Sequence, residues 1–360
     1  MVCFNPKKAW QLNRSYLDVA PQIFAKQKKI TFRRPTKPEN YTEIEIPCGY
    51  CLGCRLDHAN EWALRIALEC KSHKDNCFIT LTYNNENLPI NKNHITLKKK
   101  DFQDFIKRLR AAIEPIRISY FGCGEYGPQT HRSHGHFIIM GWKPDDLKQI
   151  QASKTNNAMF TSEKLQKIWG KGFVSVEDVN YNVACYVARY VQKKSGLLPN
   201  KKKLTGKTEF TTKIDPRNGL EYLDIINKTE MSKFDDWGRE KEFILMSKAP
   251  AIGLNYWHEN KEKILRNKGI FIKIDDKLKL KPIPRYFLKK LEKESWEKLY
   301  NYKYEIKKNM LKNKENLLKK IYIHNKPIEE LTNNEKTKIY QEYLKKNLTE
   351  KGKYLKRNQI

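Results

Sequence analysis

Two apolar runs, Ile116–Gly124 and Gly135–Trp142, flank a polar stretch containing Gly127-Pro128, and this feature limits the fold most. Runs of that length around a turn-forming break predict an antiparallel hairpin with a long tip. Hairpin pairing commits a chain to an antiparallel sheet, because parallel neighbours need a crossover between them. Upstream, Cys77-Phe78-Ile79-Thr80-Leu81-Thr82-Tyr83 is β-branched and aromatic and stops at Asn84-Asn85, which predicts a buried strand. Phe102, Phe105, Ile106, Leu109, Ala112 and Ile113 recur at three- and four-residue spacing, so they share one face of a predicted helix over 98–113. A short helix over 162–169, a strand over 173–179 with alternating valines and a helix over 181–194 follow. Strands joined mostly by hairpins, with helices on one face, argue for an α+β fold.

A chain of 360 residues that is 39% hydrophobic can bury a sizeable core. It carries 71 basic and 41 acidic residues, a net charge of +30, which favours a polyanionic partner through counterion release. The same lysine richness is also what an AT-rich genome encodes, so function rests on motifs rather than on charge. No run of 18 apolar residues occurs, and the opening Met1-Val2-Cys3-Phe4-Asn5-Pro6 lacks the layout of a secretory signal. The expectation is therefore a cytoplasmic protein without membrane contact. No repeat of 20 to 50 residues is apparent. Four regions are expected: an N-terminal part with a cysteine cluster (1–75), a core of alternating strands and helices (76–196), an extension (197–260) and a basic, mostly helical remainder (261–360).

His134 and His136 stand two apart on a predicted strand, so both imidazoles project to one face. Glu125 lies nine residues earlier on the partner strand, where the hairpin can bring its carboxylate beside them. Two nitrogens and an oxygen with open positions suit Mg²⁺ or Mn²⁺ in the working state, with Zn²⁺, Co²⁺ or Ni²⁺ as further binders. His131 is expected in the loop. On the 181–194 helix, Tyr186, Tyr190 and Lys193 fall at helical spacing on one face, with Val187 and Val191 beside them. A phenol, with a pKa near ~10, is a poor nucleophile at neutral pH unless a cation or base helps remove its proton. Lys193 and the metal are the helpers this pattern offers.

Cys48, Cys51 and Cys54 have ligand-like spacing. In a reducing compartment they are the ligands of a structural zinc, of an iron–sulfur cluster, or simply buried thiols. A fourth ligand is missing locally, and Cys3, His58, Cys70 and Cys77 are the candidates. Residues 288–323 carry Leu288, Leu291, Leu299, Tyr302, Ile306 and Met310 at helical spacing among lysines, which predicts a basic amphipathic helix. From 261 to 360 there are 29 basic and 13 acidic residues, so this region is either a solvated arm or a source of phosphate contacts.

The strand 78–83, the His134-Gly135-His136 strand with Glu125, and the Tyr186/Tyr190/Lys193 helix occur in the order of the three motifs of HUH endonucleases. Pro47-Cys48-Gly49-Tyr50-Cys51-Leu52-Gly53-Cys54-Arg55, Cys123-Gly124-Glu125-Tyr126-Gly127, Tyr186-Val187-Ala188-Arg189-Tyr190-Val191 and Met246-Ser247-Lys248-Ala249-Pro250-Ala251-Ile252-Gly253 resemble the replication initiators of small single-stranded DNA bacteriophages, the microviruses, in the gokushovirus branch. The resemblance spans about residues 47–260, with one departure: Arg132-Ser133-His134-Gly135-His136 stands where Arg-Pro-His-Tyr-His is expected. It implies an HUH-type antiparallel sheet flanked by helices, with His134, His136 and Glu125 on the catalytic ion and Tyr186 and Tyr190 as nucleophiles. The implied activity is a metal-dependent nick at the viral origin through a 5′-phosphotyrosyl intermediate, followed by rejoining of the displaced strand into a circle. Its implied partners are single-stranded and supercoiled double-stranded origin DNA, a host helicase and a host DNA polymerase, in the cytoplasm of the bacterial host. The rival readings are another HUH nuclease, such as a relaxase or plasmid initiator, and a zinc-containing DNA-binding regulator without activity.

Overall fold

The computed structural model describes residues 3–13, 30–91, 94–127, 131–150, 158–194, 210–214, 221–225, 239–274, 276–320, 331–332, 335–344 and 346–347; the side chains of 190–194, 210–214, 221–225, 314, 319 and 320 lie outside that description. Two compact units are present, one from Met1–Asp57 with Leu318–Asn358 and one from His58–Leu317 with Gln359–Ile360. The first holds a three-stranded antiparallel sheet of order β2-β1-β3, built from β1 (Lys7–Leu12), β2 (Ile30–Thr31) and β3 (Tyr41–Ile46). Helix α1 (Leu52–Lys71) begins there and contributes its residues from His58 onward to the second unit.

A seven-stranded antiparallel sheet organises the second unit. Its strands are β4 (Asn76–Tyr83), β7 (Ser119–Tyr126), β8 (Ser133–Met140), β9 (Leu147–Ile150), β10 (Met159–Ser162), β11 (Gly172–Glu177) and β14 (Phe243–Met246), in the order β14-β7-β8-β4-β11-β10-β9. The short pairs β5 (Ile90–Asn91) with β6 (His94–Ile95), β12 (Phe210–Ile214) with β13 (Glu221–Ile225), and β15 (Ile270–Ile274) with β16 (Lys277–Lys281) stand apart from it. The predicted hairpin is β7–β8, and β4 is the central strand against which β8 and β11 pair. A central strand is covered on both faces, which is why β4 reads as a nearly continuous apolar run.

Helices cover both faces of this sheet, not one. On one face, Phe102, Phe105, Ile106 and Leu109 of α2 (Lys99–Ala112), with Leu165 and Trp169 of α3 (Glu163–Trp169), pack on Ile79, Leu81, Phe137 and Ile139. Ala112, expected on that buried face, is exposed, because the helix ends there and Ile113 turns inward alone. Ser162 caps α3 by accepting from the Leu165 amide, and Gly170 ends it in the left-handed region. On the other face, Ala63 and Ile66 of α1, with Val183, Ala184, Val187 and Ala188 of α4 (Tyr181–Lys194), pack on Phe78, Phe121, Ile138 and Met140. The expectation of one covered face missed α1, whose apolar residues serve two cores.

Leu64 and Leu68 of α1 enter a third core with Trp257 and Ile264 of α5 (Leu254–Arg266), Ile270, Ile272, and Phe287 and Leu291 of α6 (Arg285–Glu294). The helix expected over 288–323 is two helices, α6 and α7 (Trp296–Lys320), separated at Ser295; residues 321–323 lie outside the described ones. Leu299 of α7 is buried, whereas Met310 is exposed. The segment 246–253 ties the sheet to α1. The Tyr120 amide donates to Ser247 Oγ, Arg65 Nε donates to the Ile252 carbonyl, and the Gly253 amide donates to Glu69 Oε2. Gly253 has φ +77, and a Cβ there would meet the Arg65 carbonyl at 2.9 Å, so only glycine fits. Among the described residues no helix is long and apolar enough to cross a membrane.

Candidate active site

The register of β7 and β8 sets Glu125 directly opposite His134 and Cys123 opposite His136. Side chains at 121, 123 and 125 and at 134, 136 and 138 alternate onto the face that carries α4. Glu125 Oε1 therefore sits 3.0 Å from His134 Nε2 and 2.9 Å from His136 Nε2. All three side chains are largely buried, with Glu125 at 5% and His136 at 8% exposure.

The far nitrogen of each imidazole is held. His134 Nδ1 donates to the Arg132 carbonyl at 3.0 Å; a carbonyl only accepts, so the proton is on Nδ1 and Nε2 turns its lone pair to the cluster. His136 Nδ1 lies 2.9 Å from Thr80 Oγ1, whose residue is paired with His136 across β4 and β8. Phe78 stacks on the His136 ring at 5.4 Å between centroids. The sequence pattern marks Thr80 and Phe78 only as strand residues. Their period-two spacing on β4, on the face shared with the histidines, is the signal that identifies them.

Burial opposes charging of His134, but its hydrogen bond to Glu125 and the Arg132 carbonyl together raise its pKa above the ordinary value. For His136 burial prevails and the pKa is lowered. Two imidazole lone pairs and a carboxylate oxygen converge within 4.8 Å, a group able to hold a metal ion. Without a cation between them, three acceptors facing one another repel, so the donor set fits a divalent ion.

Tyr186 reaches this cluster from α4. Its hydroxyl donates to Glu125 Oε1 at 3.3 Å and lies 3.3 Å from His136 Nε2. Asn180 Oδ1 accepts from the Val183 amide at the start of the helix, and Val183, Ala184 and Val187 anchor the buried side, which fixes the rotation of α4. The Arg189 guanidinium stands 5.9 Å from the Tyr186 ring, a cation that the sequence reading leaves unassigned. Tyr190 and Lys193 lie on the same helix, and their side chains are outside the described residues. His131 is in the hairpin loop, as expected, with its amide donating to the Gly127 carbonyl.

Arg132 closes the tip of the site by donating through Nε and Nη2 to the Tyr83 carbonyl and through Nη2 to Asn85 Oδ1. The departure at residue 135 also has a physical reason. A Cβ on Gly135 would lie 2.3 Å from the Phe102 ring, on the face opposite the histidines, so Phe102 fills the room that a side chain would need.

The second metal-capable group is Cys3, Cys48, Cys51 and Cys54, also within 4.8 Å. Of the four candidates to complete the motif, Cys3 is the one brought to it. Cys77 is in the first core with its thiol toward the Trp142 carbonyl, Cys70 packs against the second, and His58 Nε2 accepts from Trp62 Nε1.

A family model for replication-associated proteins of the ORF2 type matches residues 76–195. The chain is 32% identical over 268 residues to the replication-associated protein ORF2 of Spiroplasma virus 4, covering 71% of this chain and 70% of that one. It is 33% identical over 201 residues to the replication-associated protein VP4 of Bdellovibrio phage phiMH2K, covering 54% and 58%. With the replication-associated protein ORF4 of Chlamydia phage 1 the identity is 29% over 192 residues, covering 50% and 47%. No solved structure matches the chain.

Proposed function

This chain belongs to the replication-associated proteins of small phages, and from that premise we propose that it initiates rolling-circle replication by nicking one strand of the phage origin with a tyrosine. The observation that carries this reading is the hydroxyl of Tyr186 within 3.3 Å of both Glu125 and His136. In the proposed step Tyr186 Oη forms a bond to the scissile phosphorus and the P–O3′ bond breaks. The result is a 5′-phosphotyrosyl ester and a free 3′ hydroxyl that can prime synthesis. Bond energy is conserved in the ester, so a later 3′ hydroxyl can reverse the step and close a circle.

The Tyr186 proton points along its hydrogen bond to Glu125 Oε1. A carboxylate oxygen has two lone pairs, so Oε1 can accept that bond and still face the histidines. Arg189, and in the proposal Lys193, add positive charge that favours the phenolate. Mg²⁺ or Mn²⁺ held by Glu125, His134 and His136 would supply Lewis-acid stabilisation of charge on the phosphate oxygens. Tyr190, one helical turn from Tyr186, is the proposed second nucleophile.

The DNA partner is the phage origin, single-stranded or supercoiled, in the cytoplasm of the host cell, with a host helicase and polymerase extending the 3′ end. Residues 76–196 are the proposed endonuclease core, and 261–360 a source of phosphate contacts. On α7, Trp296, Tyr300 and Tyr304 are exposed and stacked in sequence, at 5.1 and 6.5 Å between centroids, beside the exposed lysines 303, 307 and 308. Rings interleaved with positive charge suit single-stranded DNA, whose bases stack while its phosphates pair. Incubating the protein with end-labelled origin strand and Mn²⁺, then denaturing, should leave a covalent protein–DNA band. That band should be absent when His134 and His136 are both Ala. Its absence from the unsubstituted protein on every strand of the phage genome would overturn the reading.

A further inference from the structure

We propose that Cys3, Cys48, Cys51 and Cys54 form a tetrathiolate site for one structural zinc ion, with Cys3 supplying the ligand that the Cys-x-x-Cys-x-x-Cys run lacks. Cys48 and Cys54 Sγ are 4.0 Å apart, and Cys51 and Cys3 Sγ 3.9 Å. Four thiolates ~2.3 Å from a central zinc form a tetrahedron with edges of about 3.8 Å. A disulfide would need ~2.0 Å, and all four cysteines are free. A cluster of several irons would need its thiolates on separate iron atoms, spread wider than four sulfurs mutually within 4.8 Å.

The surrounding backbone is arranged for sulfur that carries negative charge. The Phe4 amide donates to Cys51 Sγ at 3.3 Å, the Cys48 amide to Cys3 Sγ at 3.1 Å, and the Cys51 amide to Cys48 Sγ at 3.3 Å. Such N–H groups stabilise thiolates and orient the lone pairs that remain for a metal. Gly49, between Cys48 and Cys51, has φ +83, which lets the chain turn tightly enough to bring the two sulfurs to one point. Cys54 follows in the first turn of α1.

This unit also has reason to need a staple. Among its described residues the buried apolar side chains are Ala9, Leu12, Cys54 and Leu318, too few for a core that holds a three-stranded sheet unaided. One ion bound to Cys3, Cys48, Cys51 and Cys54 joins the approach to β1, the end of β3 and the start of α1. Its binding free energy then becomes folding free energy.

The test uses the full chain carrying His134→Ala and His136→Ala, so that the other metal-capable group does not contribute. Purified under reducing conditions, it should contain about one zinc per chain, as a single tetrahedral site requires. X-ray absorption at the zinc edge should give a first shell of four sulfurs, and exchange with Co²⁺ should give sulfur-to-cobalt charge-transfer absorption. Cys3→Ser should cut zinc affinity at least about tenfold and weaken that absorption, whereas Cys70→Ser should change neither. A folded parent protein without zinc, a site filled by iron, or a shell with two or more nitrogen or oxygen ligands would overturn the proposal. A Cys3→Ser spectrum identical to the parent's would do the same, and the absorption result on the parent stands even where that variant fails to fold.

Discussion

Thr80 Oγ1 holds His136 Nδ1 at 2.9 Å, so a residue two strands away from Glu125 decides which nitrogen of His136 faces it. Partners of this kind fix the tautomer and orientation of a metal-binding histidine. Thr80→Val keeps the shape and removes the oxygen. It should weaken Mn²⁺ binding and nicking by roughly tenfold to a hundredfold, and Thr80→Ser should restore most of both. Isothermal titration with Mn²⁺ and a nicking assay check it; a Val variant equal to the parent would assign Thr80 to sheet packing alone.

Chelation and ligand removal should separate chemistry from DNA binding. EDTA, or Ala at both His134 and His136, should abolish nicking while leaving duplex binding within a few-fold, because phosphate contacts are spread over many lysines. Glu125→Ala should act less completely, since water can occupy one coordination position. Filter binding and gel-based nicking on the same preparations distinguish the two effects.

Tyr186 and Tyr190 are proposed to alternate as nucleophiles. Either single Phe substitution should leave one nick per molecule but stop repeated release of circles, and the double substitution should form no adduct. Multiple rounds at the unsubstituted rate by Tyr190→Phe would leave Tyr186, the tyrosine at the cluster, as the only nucleophile.

Gly135→Ala should destabilise the protein by about 1–3 kcal/mol, the usual cost of overpacking a core. The Phe102 ring in its way is fully buried and stacked on Phe137 and Trp169, so it cannot yield freely. Combining it with Phe102→Leu should be less harmful than the sum of the two changes, a coupling that chemical denaturation can measure.

Burial pushes the Cys77 thiol up to about 12 from an ordinary value of 9.0. Between those values the folded chain keeps the proton that the unfolded chain releases, so stability falls as pH rises from about 9 toward 12. The slope from one such group is at most about 1.4 kcal/mol per pH unit. Urea denaturation at pH 8 and pH 10 should show a smaller loss for Cys77→Ala than for the parent; equal losses would mean that the folded thiol ionises normally.

The local sequence determined much of this protein. The apolar runs around Gly127-Pro128 set the β7–β8 hairpin, and once strands pair antiparallel with period two, Glu125, His134 and His136 must share a face. The 181–194 helix likewise follows from Val183, Val187 and their neighbours. These features depend on contacts within a few residues or across one turn, where spacing alone carries the information.

Tertiary structure decided the rest because it depends on which distant segments meet. β14 joins the sheet beside β7 from more than a hundred residues away, and α1 covers a sheet face that local periodicity did not assign. Thr80 becomes a partner of His136 only through the β4–β8 register, and Cys3 reaches Cys51 across a separation of 48 residues. No residue spacing encodes such meetings. They follow from how the buried faces of sheet and helices pack together, which is settled by the chain as a whole.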